Sequence, residues 1–306
     1  MYRYHELLFP VSKKYKPYIL PITDTPYQPI PNTTISLSEF HTYVSIKNQC
    51  IPPLLFRTSP FTLNSLPVEI KTVLDNSITM NPGYTQIHVT NEEGDAFFEH
   101  YFPQYIKQYK RLVPGAYKSD VLRLCLLYQY GGVYNDIGHS YMKPLSSIIK
   151  KDGLVLVNDL TYDLTYCTVF FGYHNAFMAC YPKHPFILHT IRRIIDNISN
   201  YNYGIHTLDV TGPKAVERSF TSFFNTEINR KLEMGRHRLY SIYTKQFYSV
   251  LILQLKEPFM QSEKRAITYN DNTIIQCKFK GYNKVMYHNR NRIRWDELWL
   301  AGLIYK

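Results

Sequence analysis

Asp120, Arg123 and Asp136 are the residues of this chain whose types and spacing could do chemistry together. Asp120 and Arg123 are three positions apart and share one face of a predicted helix. Ser119 reads as the N-cap, which would put the pair at a helix start where free N–H groups and the macrodipole favour anions. Asp136 follows Gly131-Gly132 at the end of a predicted short strand, a place where a side chain can point into a cleft at a sheet edge. One cation, two carboxylates and a helix start suit a sugar diphosphate. Arg123 would meet phosphate charge, Asp120 sugar hydroxyls, and Asp136 a divalent metal or ribose hydroxyls. The same spacing also occurs on ordinary helices as a local ion pair followed by a glycine stop, so spacing alone leaves both readings open.

The elements that must position these groups alternate in type. Residues 51–57 and 85–90 read as strands and 97–109 mostly as helix. The run 120–130 is apolar almost all round and predicts a buried helix, with Val133 to Ile137 as a strand after it. Residues 154–160 and 168–173 read as further strands. Pro185 and Pro213 start helices, the first carrying Leu188, Ile191, Ile195 and Ile198, the second Val216, Phe220, Phe223 and Phe224. A mixed α/β sheet follows. Residues 1–50 are rich in Tyr, Pro and Thr and predict an extended arm, with one domain over 51–306.

A net charge of +11 predicts a polyanionic or phosphorylated partner without choosing one. The basic run at 288–295 keeps a nucleic-acid-binding rival in play, though no nucleic-acid motif accompanies it. Five widely spaced cysteines, Cys50, Cys125, Cys167, Cys180 and Cys277, contain no CxxC pair and read as reduced thiols. No apolar run is long enough to span a membrane and the first residues lack a signal-peptide core, so a soluble protein of a cytoplasmic or viral-type setting is expected.

The stretch 116–138 resembles the sugar-binding region of the DxD-containing glycosyltransferases, a family that includes the yeast-type initiating α-mannosyltransferases and the clostridial glucosylating toxins. The family pattern is Ala-x-x-Ser-Asp-x-x-Arg, an apolar run, then Gly-Gly-x-Tyr-x-Asp-x-Asp. It is met by Ala116, Ser119, Asp120, Arg123, Gly131, Gly132, Tyr134 and Asp136. Weaker similarities flank it at 51–58, at Asn175 to Phe177, at His184 to Phe186, at Thr211-Gly212-Pro213, and at His288 with Trp295. The resemblance implies a single Rossmann-like, GT-A type α/β domain with a mixed central sheet and added helices. It also implies a UDP- or GDP-sugar donor, manganese or magnesium, a glycan or protein acceptor rather than nucleic acid, and transfer with retention. Implied donor contacts are Leu55, Phe56, Arg57, Thr58, Ser119, Asp120, Arg123, Tyr134, Asn135 and Asp136, of which Asp120, Arg123 and Asp136 would be catalytic. Asp136, His139 and His288 are the implied metal ligands. One position departs: Gly138 stands where the family has its second Asp. Three readings follow. His139 supplies a nitrogen ligand, which manganese accepts more readily than magnesium. Alternatively Arg292 or Arg294 neutralises the diphosphate without metal, or the chain binds without transferring.

Overall fold

The structure, a computed structural model, describes residues 33–40, 50–163, 168–226, 231–256, 264–286 and 293–306. Short apolar, β-branched runs between turns form its strands. These are β1 (Thr34–Ser36), β2 (Leu54–Thr58), β3 (Thr85–Val89), β4 (Gly132–Asn135), β5 (Ser140–Tyr141), β6 (Leu154–Asp163), β7 (Thr168–Tyr173), β8 (Phe177–Cys180), β9 (Gly235–Ser241), β10 (Gln246–Lys256), β11 (Ala266–Tyr269) and β12 (Asn272–Gln276). The helices are α1 (Val68–Met80), α2 (Asn91–Tyr101), α3 (Ile106–Arg111), α4 (Gly115–Tyr130), α5 (Pro185–Ser199), α6 (Pro213–Phe224), α7 (Tyr282–Met286) and α8 (Trp295–Leu300). None among the described residues is long and apolar enough to cross a membrane.

All described strands join one mixed sheet, ordered β1-β3-β2-β4-β8-β6-β10-β11-β12-β5, with β7 on β6 and β9 on β10. This is the mixed α/β class expected from the alternating pattern. β2 lies parallel to β3 on one side and to β4 on the other. The chain therefore leaves β2 for β3 and crosses back over β2 to reach β4. That reversal is a topological switch point, and the carboxyl ends of β2 and β4 are where open sheets of this kind place a ligand crevice. Both faces of the sheet are covered. Leu54 and Phe56 enter the core shared with α2, α4, α5 and α6, whereas Leu55 enters a second core with Val133, Val155 and Leu251. Successive β2 residues thus feed opposite faces, as the two-residue strand period requires.

The order of elements agrees with the sequence pattern and several boundaries move. The helix expected over 97–109 is divided, because Pro103 lacks an amide hydrogen and cannot continue α2, which ends at Tyr101. The helix expected from Asp120 begins a turn earlier, at Gly115, with Pro114 as its N-cap. Ser119 is therefore not the cap, and Asp120 lies inside the helix rather than at its start. The macrodipole argument for anion binding there does not hold, since that effect is confined to the first turn. Of the expected N-terminal arm, residues 1–32 and 41–49 lie outside the described residues, and Thr34–Ser36 is an edge strand parallel to β3.

Gly131 and Gly132 do two separate jobs. Gly131 closes α4 at φ 67°, its N–H donating to the Leu127 carbonyl. Gly132, at φ 91°, lets β4 approach β2: a Cβ there would lie 2.7 Å from the Leu54 carbonyl oxygen. Gly132→Ala should destabilise the fold by about 2 kcal/mol or more, through strain and backbone overlap together. Urea unfolding of the two proteins measures it, and an unchanged midpoint would refute the close approach.

Candidate functional site

The crevice is lined from three elements. Thr58 ends β2, Asp136 follows β4, and Ser119, Asp120 and Arg123 face them from α4. Arg123 is only 5% exposed and lies between both carboxylates, with Nη2 3.2 Å from Asp120 Oδ1 and 3.4 Å from Asp136 Oδ1. Its Nη1 donates to the Asn175 carbonyl at 2.8 Å and its Nε to the Ser119 carbonyl at 3.2 Å. The guanidinium also covers the Tyr134 ring, 4.5 Å from its centroid. Burial works against this charge, but Tyr134, Asp136 and Asp120 outweigh it and hold the guanidinium above its ordinary value.

Asp120 is held on both oxygens. Asn175 Nδ2 donates to Oδ1 at 2.9 Å and Thr211 Oγ1 donates to Oδ2 at 2.8 Å. Asn175 and Thr211 come from two segments that resembled the family outside the central motif, and their part in fixing Asp120 was not legible from spacing. Burial raises the Asp120 carboxyl to about 6; Arg123 and Thr211 pull it down, Asp136 pushes it up, and Asn175 pulls it down.

A ladder of hydroxyls reaches Asp136. Tyr134 OH donates to Asp136 Oδ1 at 2.9 Å. A phenol has one proton, so Thr58 Oγ1, 2.9 Å away, must donate to Tyr134, and Ser119 Oγ, 2.8 Å from Thr58, must donate to Thr58. This orders the proton direction from α4 through β2 and β4 to the carboxylate. Asp136 Oδ2 has no hydrogen bond among the described residues, and the Asp136 side chain is 33% exposed, which leaves that oxygen for a ligand.

The structure thus brings Thr58, Ser119, Asp120, Arg123, Tyr134 and Asp136 into one network. Other expected contacts are placed differently. The Leu55 and Phe56 side chains are wholly buried in the two cores and offer no ligand surface, a correction that follows from the covering of both sheet faces. Arg57 is 1% exposed, and its guanidinium donates at 3.1 Å to the carbonyls of Asp136 and His139; it clamps the loop after β4 and does not face the crevice. Burial lowers its pKa. Asn135 is fully buried, accepting from His139 Nδ1 at 2.6 Å. Arg294 is engaged with Asp296 at 2.8 Å. His288, Arg292 and Cys167 lie outside the described residues.

Gly138 has a structural counterpart. A Cβ there would lie 2.6 Å from the Tyr282 ring, which with Phe279 packs against Phe61, Ile70, Leu74 and Ile137. An aspartate at 138 would have to displace that ring. A pair of carboxylates for a hard cation therefore does not fit: Asp136 stands alone, with one oxygen already taken by Tyr134 and Arg123. His139, 2% exposed, lies in a buried group with His174 and Cys277. A shallow basic cavity of about 360 Å³, lined by Ile106, Lys107, Lys110, Arg111 and Lys306, involves none of these residues.

A carboxylate pair around one buried guanidinium thus lies at a switch point of an α/β sheet, the place where such sheets bind ligands. Residues 67–154 match the family described as glycosyltransferase sugar-binding region containing DXD motif. That family implies a divalent metal and a sugar donor in general. Similar proteins include a mannosyl phosphorylinositol ceramide synthase of Saccharomyces cerevisiae, 23% identical over 68% of this chain and 54% of the relative. Another is inositol phosphoceramide mannosyltransferase 3 of Schizosaccharomyces pombe, 24% identical over 56% of this chain and 46% of the relative. The chain thus spans about half the length of these relatives. Among solved structures, the PaToxG glycosyltransferase matches with a TM-score of 0.40 and 18% identity, over 56% of this chain and 69% of that one.

The raised Asp120 carboxyl has a consequence for stability. A carboxyl titrating higher folded than unfolded supports the fold fully below its unfolded value and loses that support as pH climbs through about 6. The melting temperature of the wild type relative to Asp120→Asn should therefore fall between pH 4 and pH 8. A constant difference across that range would show that Asp120 is not held as described.

Proposed function

We propose that the chain transfers a sugar from a nucleotide-diphosphate donor, with retention, and that the donor sits in the crevice between β2 and β4. The observation that carries this reading is the buried guanidinium of Arg123 holding Asp120 and Asp136 together at the switch point. Mannose is the sugar favoured by the names of the similar proteins, and an inositol-phosphate lipid headgroup joins glycans and proteins among the acceptor classes.

Breaking the anomeric C–O bond builds positive charge on the sugar and negative charge on the leaving diphosphate. Asp136 Oδ2, lacking a hydrogen bond among the described residues, accepts from sugar or ribose hydroxyls, and the hydroxyl ladder keeps Oδ1 in place. Arg123 acts as a positioning group, since its N–H groups are already directed at Asn175, Ser119 and the two carboxylates. Charge on the diphosphate falls to a more accessible cation. Lys278 is such a group: it is partly exposed, 5.7 Å from the Tyr282 ring centroid, and its charge is felt at His139.

Gly138 and the ring above it favour a second reading, in which the donor is bound and not transferred. Thermal unfolding with a panel of UDP- and GDP-sugars separates the cases. A true donor at a hundredfold excess over its Kd should stabilise the wild type by about 2.7 kcal/mol. Asp136→Asn, which keeps the shape, should lose most of that shift. Release of free sugar or glycosylated product then distinguishes transfer from binding alone. No shift with any sugar nucleotide would refute both readings.

A further inference from the structure

We propose that His139, His174 and Cys277 form a binding site for a zinc-class divalent cation, distinct from any metal at Asp136. One nitrogen of each imidazole and the Cys277 sulfur lie within 4.8 Å of one another, and all three residues are buried. Tetrahedral zinc, with bonds of about 2.0–2.3 Å, sets its ligand atoms roughly 3.3–3.8 Å apart, so small side-chain rotations close the set. The rings of His139 and His174 are near-parallel, 17° apart with centroids at 6.0 Å.

The surroundings point the same way. His139 Nδ1 is 2.6 Å from Asn135 Oδ1, and His174 Nδ1 is 3.5 Å from Asp159 Oδ2. Outer oxygens that take the Nδ1 hydrogens leave each Nε2 lone pair for a cation, the usual support of metal-bound histidines. His174 Nε2 is buried and has no hydrogen-bond partner among the described residues. A buried ring nitrogen without a partner carries a free-energy cost that a metal bond would remove. Burial and the positive charge of its neighbours keep His139 neutral, the form that ligates.

The scaffold is rigid. His139 precedes β5, His174 follows β7 and Cys277 follows β12, while β12 pairs directly with β5. A thiolate with two imidazoles selects soft or borderline cations over magnesium and manganese. Three protein ligands leave a fourth position for water. Burial pushes the Cys277 thiol up to about 12, so a cation that takes the sulfur as thiolate displaces its proton.

The test uses the whole chain, freed of metal by chelation, kept reduced, and titrated with cobalt(II) chloride. The expected result is a near-ultraviolet thiolate-to-cobalt charge-transfer band with visible tetrahedral bands, displaced by zinc and not by magnesium. Cys277→Ser and Cys277→Ala should each abolish the charge-transfer band, His174→Gln should weaken binding at least tenfold, and Cys50→Ser should change nothing. Circular dichroism of the metal-free variants confirms that they fold. Absence of the band in the wild type, or its persistence in both Cys277 variants, overturns the site. None of these readouts involves a sugar donor, so failure of donor binding and failure of the cation site are separately visible.

Discussion

A guanidinium removed from water is tolerated only where charge and hydrogen-bond acceptors surround it, and Arg123 meets that condition through Asp120, Asp136, Ser119 and Asn175. Losing one partner of such a buried set commonly costs about 3–5 kcal/mol, because the remaining charge is left uncompensated. The constraint is therefore geometric as well as energetic. It ties α4 to the loop after β4 and to the segment between β7 and β8, and so fixes the walls of the crevice. Arg57 performs the same service from β2, by gathering the carbonyls of Asp136 and His139 onto one cation.

Two kinds of ligand chemistry lie side by side as a result. The crevice offers oxygen: one carboxylate with an open oxygen, a line of hydroxyls and a second carboxylate held on both sides. Behind the same loop lie two imidazoles and a thiol, closed off from solvent. Gly138 stands at the boundary. Its missing side chain is matched by the Tyr282 ring, which packs into the small apolar cluster beside Ile137. Replacing a carboxylate by an aromatic cover removes a hard-cation ligand and shields the loop from water in one change.

Backbone geometry places all of this. Gly132 allows β4 to lie against β2 closely enough for Thr58 to hydrogen-bond Tyr134, and the reversal of strand order sets the ends of β2 and β4 side by side. Apolar packing on both faces holds the strands without using the side chains at their carboxyl ends. The polar ends are thereby available for ligands while the middle of each strand carries stability.

The sequence by itself determined the alternating element order, the buried helix before the glycine pair, the similarity of residues 67–154 to a sugar-binding region and the association of Asp120, Arg123 and Asp136. Each of these is carried by local pattern: an apolar period, a glycine needed for positive φ, or residues at fixed spacing. Only the tertiary structure decided what Arg123 and Arg57 touch, because burial depends on which distant segments cover a residue. Asn175 and Thr211 are 55 and 91 residues from Asp120, and Tyr282 lies far along the chain from Gly138. Likewise His139, His174 and Cys277 share no spacing that a linear motif could reveal. Strand pairing across the sheet brings them together, and pairing between remote strands is a property of the folded chain.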